Sequence, residues 1–401
     1  MSSKLDIMIA GAGIGGLTAA ACLMQAGHRV RLFEQASKLG EVGAGLQISA
    51  NGFKVMRHIG VDKKLAAAGV KPLSYVFRIA ETGEEVNRFE LAEAHEAANG
   101  APYYQLHRAD LHAALVERVR QLDSNCVTLN AAVSEYEERE TRVDLILSDG
   151  RRFSGDVLIG ADGIKSAIRA QAFGQAPADF TGDVAWRLII PAARLPKDHI
   201  DRVMTVWLGP SSHAVMYYLR NKELVNFVGL KESDTWQDES WTSKGDWSEL
   251  KSDFSTWHDE VQVVLDAVDK DACYRWALFN RKPIDNWAKG RVALLGDASH
   301  PTLPYLAQGA VMAIEDSAVL ARCLDEVSDP VEALKLYSAV RAPRAARVVN
   351  ESSANQKKFR GSIADLRQRF IGAEIGGDRN GWLYGYDPLT VKLSQAEGAQ
   401  S

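Results

Sequence analysis

The chain has 401 residues, 46% hydrophobic, 8% aromatic and 25% charged, a balance that excludes a disordered chain, a collagen and a small disulfide scaffold. At roughly 150 residues per domain, this length makes two or three domains and leaves room for a cleft between lobes. The 47 basic and 52 acidic residues give a net charge of −5, without long runs of one sign, which argues against nucleic acid and anionic membrane surfaces as partners.

Met1–Lys4 leads directly into a strand pattern and shows none of the features of a secretory signal. The cysteines, Cys22, Cys126, Cys273 and Cys323, are scattered, with no CxxC pair and no nearby histidine at metal-ligand spacing. A reducing, cytoplasmic location and no metal site are expected. Residues 5–10 (LDIMIA) predict a strand, 14–26 an Ala/Leu-rich helix closed by Gly27, and 29–33 (RVRLF) a second strand, which together make a βαβ unit. Ile7–Met24 is uncharged for 18 residues, near the lower limit of a membrane span. Four glycines at 11, 13, 15 and 16 would break such a helix, so no integral membrane contact is expected.

Further on, helices are predicted at 51–59 and 109–121, and strands at 126–130, 142–147 and 156–160. From about 180 to 280 the pattern changes to alternating strands (184–190, 203–208, 213–219, 224–230) with Trp-rich connections, as in an antiparallel sheet inserted into an α/β domain. A strand at 291–295 precedes long helices at 307–326 and 331–359, the second expected to bend at Pro343. There is no internal repeat.

Gly11-x-Gly13-x-x-Gly16 opens a helix directly after a strand, and Glu34 ends the next strand about twenty residues on, the arrangement of a dinucleotide-binding fingerprint. Gly11 allows the tight turn, Gly13 lets a pyrophosphate approach the backbone, and Gly16 permits close packing, while the helix N-terminus offers free N–H groups to phosphate. Ile14 and Gly15 belong to the same turn, Gln35 adjoins Glu34, and Glu34 can accept hydrogen bonds from a ribose diol. This motif alone leaves FAD and NAD both open.

Gly160-Ala161-Asp162-Gly163-x-x-Ser166-x-x-Arg169 and Gly296-Asp297-Ala298-x-His300-Pro301 follow in order, with Val42–Gln47 (VGAGLQ) and His107–Leu111 (HRADL) between them and the fingerprint. With these motifs the chain resembles the class A flavoprotein aromatic hydroxylases over nearly its whole length. His300-Pro301, Tyr305–Ala310 and Trp382–Tyr386 make it most similar to the group of salicylate hydroxylase, 3-hydroxybenzoate 6-hydroxylase and 6-hydroxynicotinate 3-monooxygenase. Pro304 stands where some 3-hydroxybenzoate hydroxylases carry a glutamine that meets the substrate carboxylate, and Gln47 replaces a histidine of the 6-hydroxynicotinate enzymes.

The resemblance implies a Rossmann-like, para-hydroxybenzoate-hydroxylase-like α/β fold. Its FAD-binding domain takes in 1–75, 100–180 and 281–330, its substrate sheet 76–99 and 181–280, and its C-terminal helical region 331–401. It implies non-covalent FAD held by the fingerprint, Gly45, Gln47, Arg108, Asp162 and Asp297, with Gly309 and Ala310 at a helix N-terminus that stabilises charge on the reduced flavin. NADH or NADPH would reduce the flavin and O2 would form a C4a-hydroperoxyflavin. That species would hydroxylate a phenolic or hydroxyheteroaromatic carboxylic acid in an enzyme compatible with a homodimer. An FAD-dependent reductase, oxidase or halogenase of the same fold is a rival reading, although Ala185–Pro191 does not fit the WxWxIP halogenase signature. A non-catalytic dinucleotide-binding module is another.

His213 and Tyr217, four residues apart on the strand HAVMYYL, project from one face by the period of two. The resemblance lays this strand over the flavin, where neutral His213 could accept a phenol proton and Tyr217 could donate a hydrogen bond or relay the proton. His300 is a candidate contact for a substrate carboxylate. Arg187, at the start of the sheet, reads more readily as a solvated edge charge, and the tryptophans as packing for the sheet's cover.

Overall fold

The computed structural model describes residues 4–40, 43–175, 177–233, 243–373 and 378–394, and side chains there except those of 378–380. Val42, Trp236 and Trp241 therefore lie outside the described residues. The apolar runs Asp6–Ala10 and Val157–Gly160 pair in parallel at the centre of a six-stranded sheet, with Arg29–Phe33 and Val127–Thr128 on one side and Val292–Leu294 and Ala288–Lys289 on the other. Only the last pairing is antiparallel. Ile7, Met8, Ile9 and Leu158 are fully buried, as expected of parallel strands covered on both faces. The strand expected at 126–130 shrinks to two residues because it is an edge strand that meets only Leu32 and Phe33.

The helix Ile14–Gln25 lies on this sheet and contacts Arg108–Leu122 and Gly309–Glu326. It ends at Ala26–Gly27, where Gly27 has φ +93°, a conformation glycine adopts without steric cost. Two smaller units complete this part of the fold: the antiparallel sheet of Val133–Glu138, Val143–Leu147 and Arg152–Gly155, of which only the middle strand was expected, at 142–147, and the pair Gly45–Ile48 with Tyr104–His107, which was not expected. The helix Pro330–Lys358 continues through Pro343 as one element. Among the described residues no helix is long and apolar enough to cross a membrane.

The second large sheet has seven strands in the order Tyr274–Asn280, Asp179–Pro191, Leu224–Glu232, Ser212–Leu219, Met204–Gly209, Ser74–Ile79 and Glu85–Glu90. All neighbours are antiparallel except Met204–Gly209 with Ser74–Ile79. Its two faces sort the residues strictly by parity. Trp186, Leu188, Trp207, Ala214, Met216 and Phe227 point into an apolar core beneath Phe254, Trp257 and Val261. Ala185, Arg187, Val206, His213, Val215, Tyr217 and Val228 point the other way, into a cavity. The Trp-rich connections include two helices, Trp247–Asp253 and Asp259–Asp266, started by the side chains of Asp246 and His258. Trp186, Trp207 and Trp257 pack the covered face as expected.

Candidate active site

The cavity lies between the two large sheets and measures about 1130 Å³, more than the roughly 300–1,000 Å³ of a drug-sized ligand pocket. At one end its wall is the turn Ala12–Gly15 with Glu34, Lys38, Arg108, His112 and Asp297. Glu34 receives the N–H of Ala12 at 2.9 Å and of Ala36 at 2.8 Å, which fixes it at the tip of its strand. No side chain caps the helix Ile14–Gln25, so its first N–H groups remain for a ligand. His112 comes from the same helix face as Arg108, one turn on, and holds the Ala12 carbonyl at 2.9 Å; that spacing was the available signal for it.

The fingerprint glycines divide by role. A Cβ on Gly13 would meet nothing within 4 Å, whereas one on Gly16 would lie 2.0 Å from the Gly11 carbonyl, and one on Gly11 2.4 Å from that of Ala161. Gly13 therefore leaves open space for a ligand, and Gly11 and Gly16 let backbones touch. Gly11 also has φ +98°. The open turn at Gly13, an uncapped helix and an exposed Asp297 on the wall fit the dinucleotide moiety of FAD. Gly309 and Ala310, at the start of a second uncapped helix, line the middle of the cavity. Gln308, just before them, is fixed by Asn51 and Ser49 at 2.9 and 3.1 Å.

The far end is aromatic, lined by Tyr75, Phe77, Phe89, Tyr103, Trp276 and Tyr305 among others. His213 and Tyr217 both face it, as their spacing requires. His213 stacks on Phe359 with centroids 4.3 Å apart, and burial pushes its imidazole down to about 4, so it is neutral near pH 7. Burial holds the Tyr217 hydroxyl well above its ordinary value, partly offset by its hydrogen bond to Gln47. Gln47 in turn accepts from Tyr103 at 2.6 Å, and Gly45 N–H donates to Asn226 at 2.9 Å. A Cβ on Gly45 would lie 2.6 Å from the Tyr217 hydroxyl, so glycine there lets this polar cluster close over the cavity.

Four expectations need correction. His300 is fully buried outside the cavity wall, 2.5 Å from Asp316 and 5.0 Å from the Trp287 ring. There it partners a carboxylate that has lost its water, and a buried charge requires such a partner. Asp162 turns onto its own chain, accepting from Ser166 Oγ at 2.5 Å and from the Ile168 N–H at 3.3 Å; Ala161, Gly163 and Ile164 take its place on the wall. Gln35 is exposed and off the wall. Arg187 is no edge charge: it is buried on the cavity wall with its guanidinium 5.2 Å from the Tyr274 ring and 5.4 Å from the Trp276 ring.

Residues 4–352 match the family model described as FAD binding domain. The chain belongs to this family. It is 37% identical to the 3-amino-4-hydroxybenzoate 2-monooxygenase of Streptomyces cremeus, with 95% of each chain covered. It is 36% identical to 3-hydroxybenzoate 6-hydroxylase 1 of Aquipseudomonas alcaligenes, covering 96% of this chain and 98% of the relative. The 6-hydroxynicotinate 3-monooxygenase of Pseudomonas fluorescens is 34% identical, with 98% of each covered. Klebsiella pneumoniae HpxO, solved with FAD and uric acid, superposes with a TM-score of 0.82 at 27% identity over 92% of each chain. These matches agree with the fold class, the FAD cofactor and the hydroxylase family expected from the motifs.

Proposed function

We propose that the protein is an FAD-dependent monooxygenase that hydroxylates a phenolic or hydroxyheteroaromatic carboxylic acid, with NADH or NADPH as reductant and O2 as the oxygen source. The observation that carries this reading is the single cavity shared by the fingerprint turn and by the His213–Tyr217 face of the second sheet. When bound, FAD supplies the redox chemistry, and the protein supplies binding, orientation and electrostatics. Gly13, Glu34, Arg108 and Asp297 would hold the dinucleotide, and the N-terminus at Gly309–Ala310 would stabilise negative charge beside the ring system.

The protein's remaining tasks are to orient the substrate ring, exclude water and manage one proton. Tyr75, Phe77 and Phe89 offer apolar faces to the ring. Ring hydroxylation by an electrophilic oxygen needs the phenolate, and a phenol of pKa near 10 is only about a thousandth ionised at pH 7. His213, neutral and on the wall, can accept a hydrogen bond from the phenol and carry its proton in passing, while Tyr217 can donate a hydrogen bond that stabilises the phenolate oxygen left behind. A screen of NADH and NADPH oxidation across hydroxybenzoates and hydroxypyridine carboxylates, with product identification, tests the reading. At least one acid should stimulate oxidation and emerge hydroxylated; if none does, the reading fails.

A further inference from the structure

Behind His213 a second, narrower crevice runs to the surface, and His213, Tyr305, Leu230 and Phe359 line both it and the main cavity. At its centre is Asp183, on the strand Asp179–Pro191 and only 4% exposed. One carboxylate oxygen of Asp183 accepts from the Tyr305 hydroxyl and from Gln356 Nε2 at 2.5 Å; the other accepts from Arg360 at 2.8 Å. Arg360 also pairs with Glu232 at 2.9 Å, and with Lys231 these side chains form the half-exposed lip of the crevice. A buried carboxylate beside the substrate end, at a polar crevice of about 10 Å³, room for about one water, is more than is needed to anchor a helix end. The ring of Tyr305 stands 5.6 Å from that of His213, centroid to centroid.

We propose that Tyr305 and Asp183 are the proton exit of the substrate cavity. The inference rests on the hydroxylase reading, because only a phenol that must ionise releases the proton in question. The substrate O–H breaks and its proton joins a ring nitrogen of His213. The imidazolium passes a proton to the Tyr305 oxygen as Tyr305 gives its own to Asp183, and Asp183 releases one to water in the crevice. The balance is one proton from phenol to solvent, with no electron moved. Burial makes His213 a poor holder of a proton, so the proton must be passed on. Asp183 acts through its neighbours and is a positioning and relay residue.

The test follows proton release into a pH-indicator dye when FAD-loaded protein is mixed, without oxygen or reductant, with a panel of hydroxybenzoates and 6-hydroxynicotinate. Asp183→Asn and Tyr305→Phe should each slow release at least tenfold with FAD content retained. Asp183→Glu, which keeps a carboxylate beside Tyr305, should restore much of the rate lost in Asp183→Asn, which a loss of packing alone would not allow. Asp183→Asn or Tyr305→Phe releasing the proton at the parent rate, or a folded, FAD-loaded Asp183→Glu as slow as Asp183→Asn, overturns the exit and leaves the hydroxylase reading standing. No proton release from the parent protein with any member of the panel overturns both.

Discussion

His300 Nε2 lies 2.5 Å from one oxygen of Asp316, and Arg341 Nε lies 2.8 Å from the other, with all three side chains fully buried. Although burial opposes it, His300 and Arg341 hold the Asp316 carboxyl below its ordinary value. Glu315, the next residue, pairs with Arg341 at 2.8 Å and Arg344 at 2.7 Å. The helix that presents Gly309 to the cavity is thus tied to the long helix Pro330–Lys358 by paired charges.

Removing one partner from such a set strands the others. Asp316→Asn should cost about 3–5 kcal/mol, read from denaturant unfolding, while His300→Gln, which keeps a donor, should cost less. A His300 variant of full stability with a raised KM for the aromatic acid alone would return His300 to the substrate.

The glycines of the first turn should separate binding from folding. Gly13→Ala adds a methyl group into open space, so the apoprotein should unfold as the parent does while FAD affinity falls by about tenfold or more, roughly 1.4 kcal/mol. Gly16→Ala drives a Cβ against the Gly11 carbonyl and should lower stability itself. Calorimetry of apoproteins and FAD titration check both; equal effects of the two substitutions would refute the division of roles.

Acid should weaken the fold. His95 and His213 are each pushed down to about 4 by burial, and His28 and His107 are lowered in the same direction. The unfolded chain takes up these protons near pH 6.5, so stability is full above that value and is lost as pH falls towards 4, by on the order of a few kcal/mol in total. Urea unfolding at pH 7.5 and pH 5 gives the comparison. Unchanged or rising stability at pH 5 would show that these sites are not closed to protons.

His213→Ala should slow hydroxylation by about a hundredfold or more, leave FAD binding intact and divert reducing equivalents to hydrogen peroxide. Tyr217→Phe should uncouple in the same sense by less. Rapid-mixing kinetics with peroxide determination tests the pair, and unchanged coupling in both would reduce them to ordinary sheet side chains.

What the sequence disclosed of this site follows from how local each signal is. The fingerprint, Glu34 and the Asp297 turn are read within a strand, a turn and a helix, and the alternation of HAVMYYL is enough to put His213 and Tyr217 on one face. The aromatic wall is a different case, because Tyr75, Phe77 and Phe89 reach the cavity only when Ser74–Ile79 pairs with Met204–Gly209, some 130 residues away. Asp183 shows it most clearly, since its partners come from positions 305, 356 and 360. His300 was misplaced for the same reason: its motif was legible, but Asp316 and Arg341, which take it into the core, lie on two separate helices. Asp162 differs for a more local reason: it holds Ser166, the cap of the short helix Ala167–Phe173, and the Ile168 N–H, a helix start the motif does not reveal.

The account stands most directly on where the oxygen goes. FAD-loaded protein, NADH, isotopically labelled dioxygen and the panel of aromatic hydroxy acids should yield a product carrying one labelled oxygen on the ring for each coupled turnover. Consumption of NADH with all label recovered in hydrogen peroxide or water, and none in any aromatic product, would contradict it.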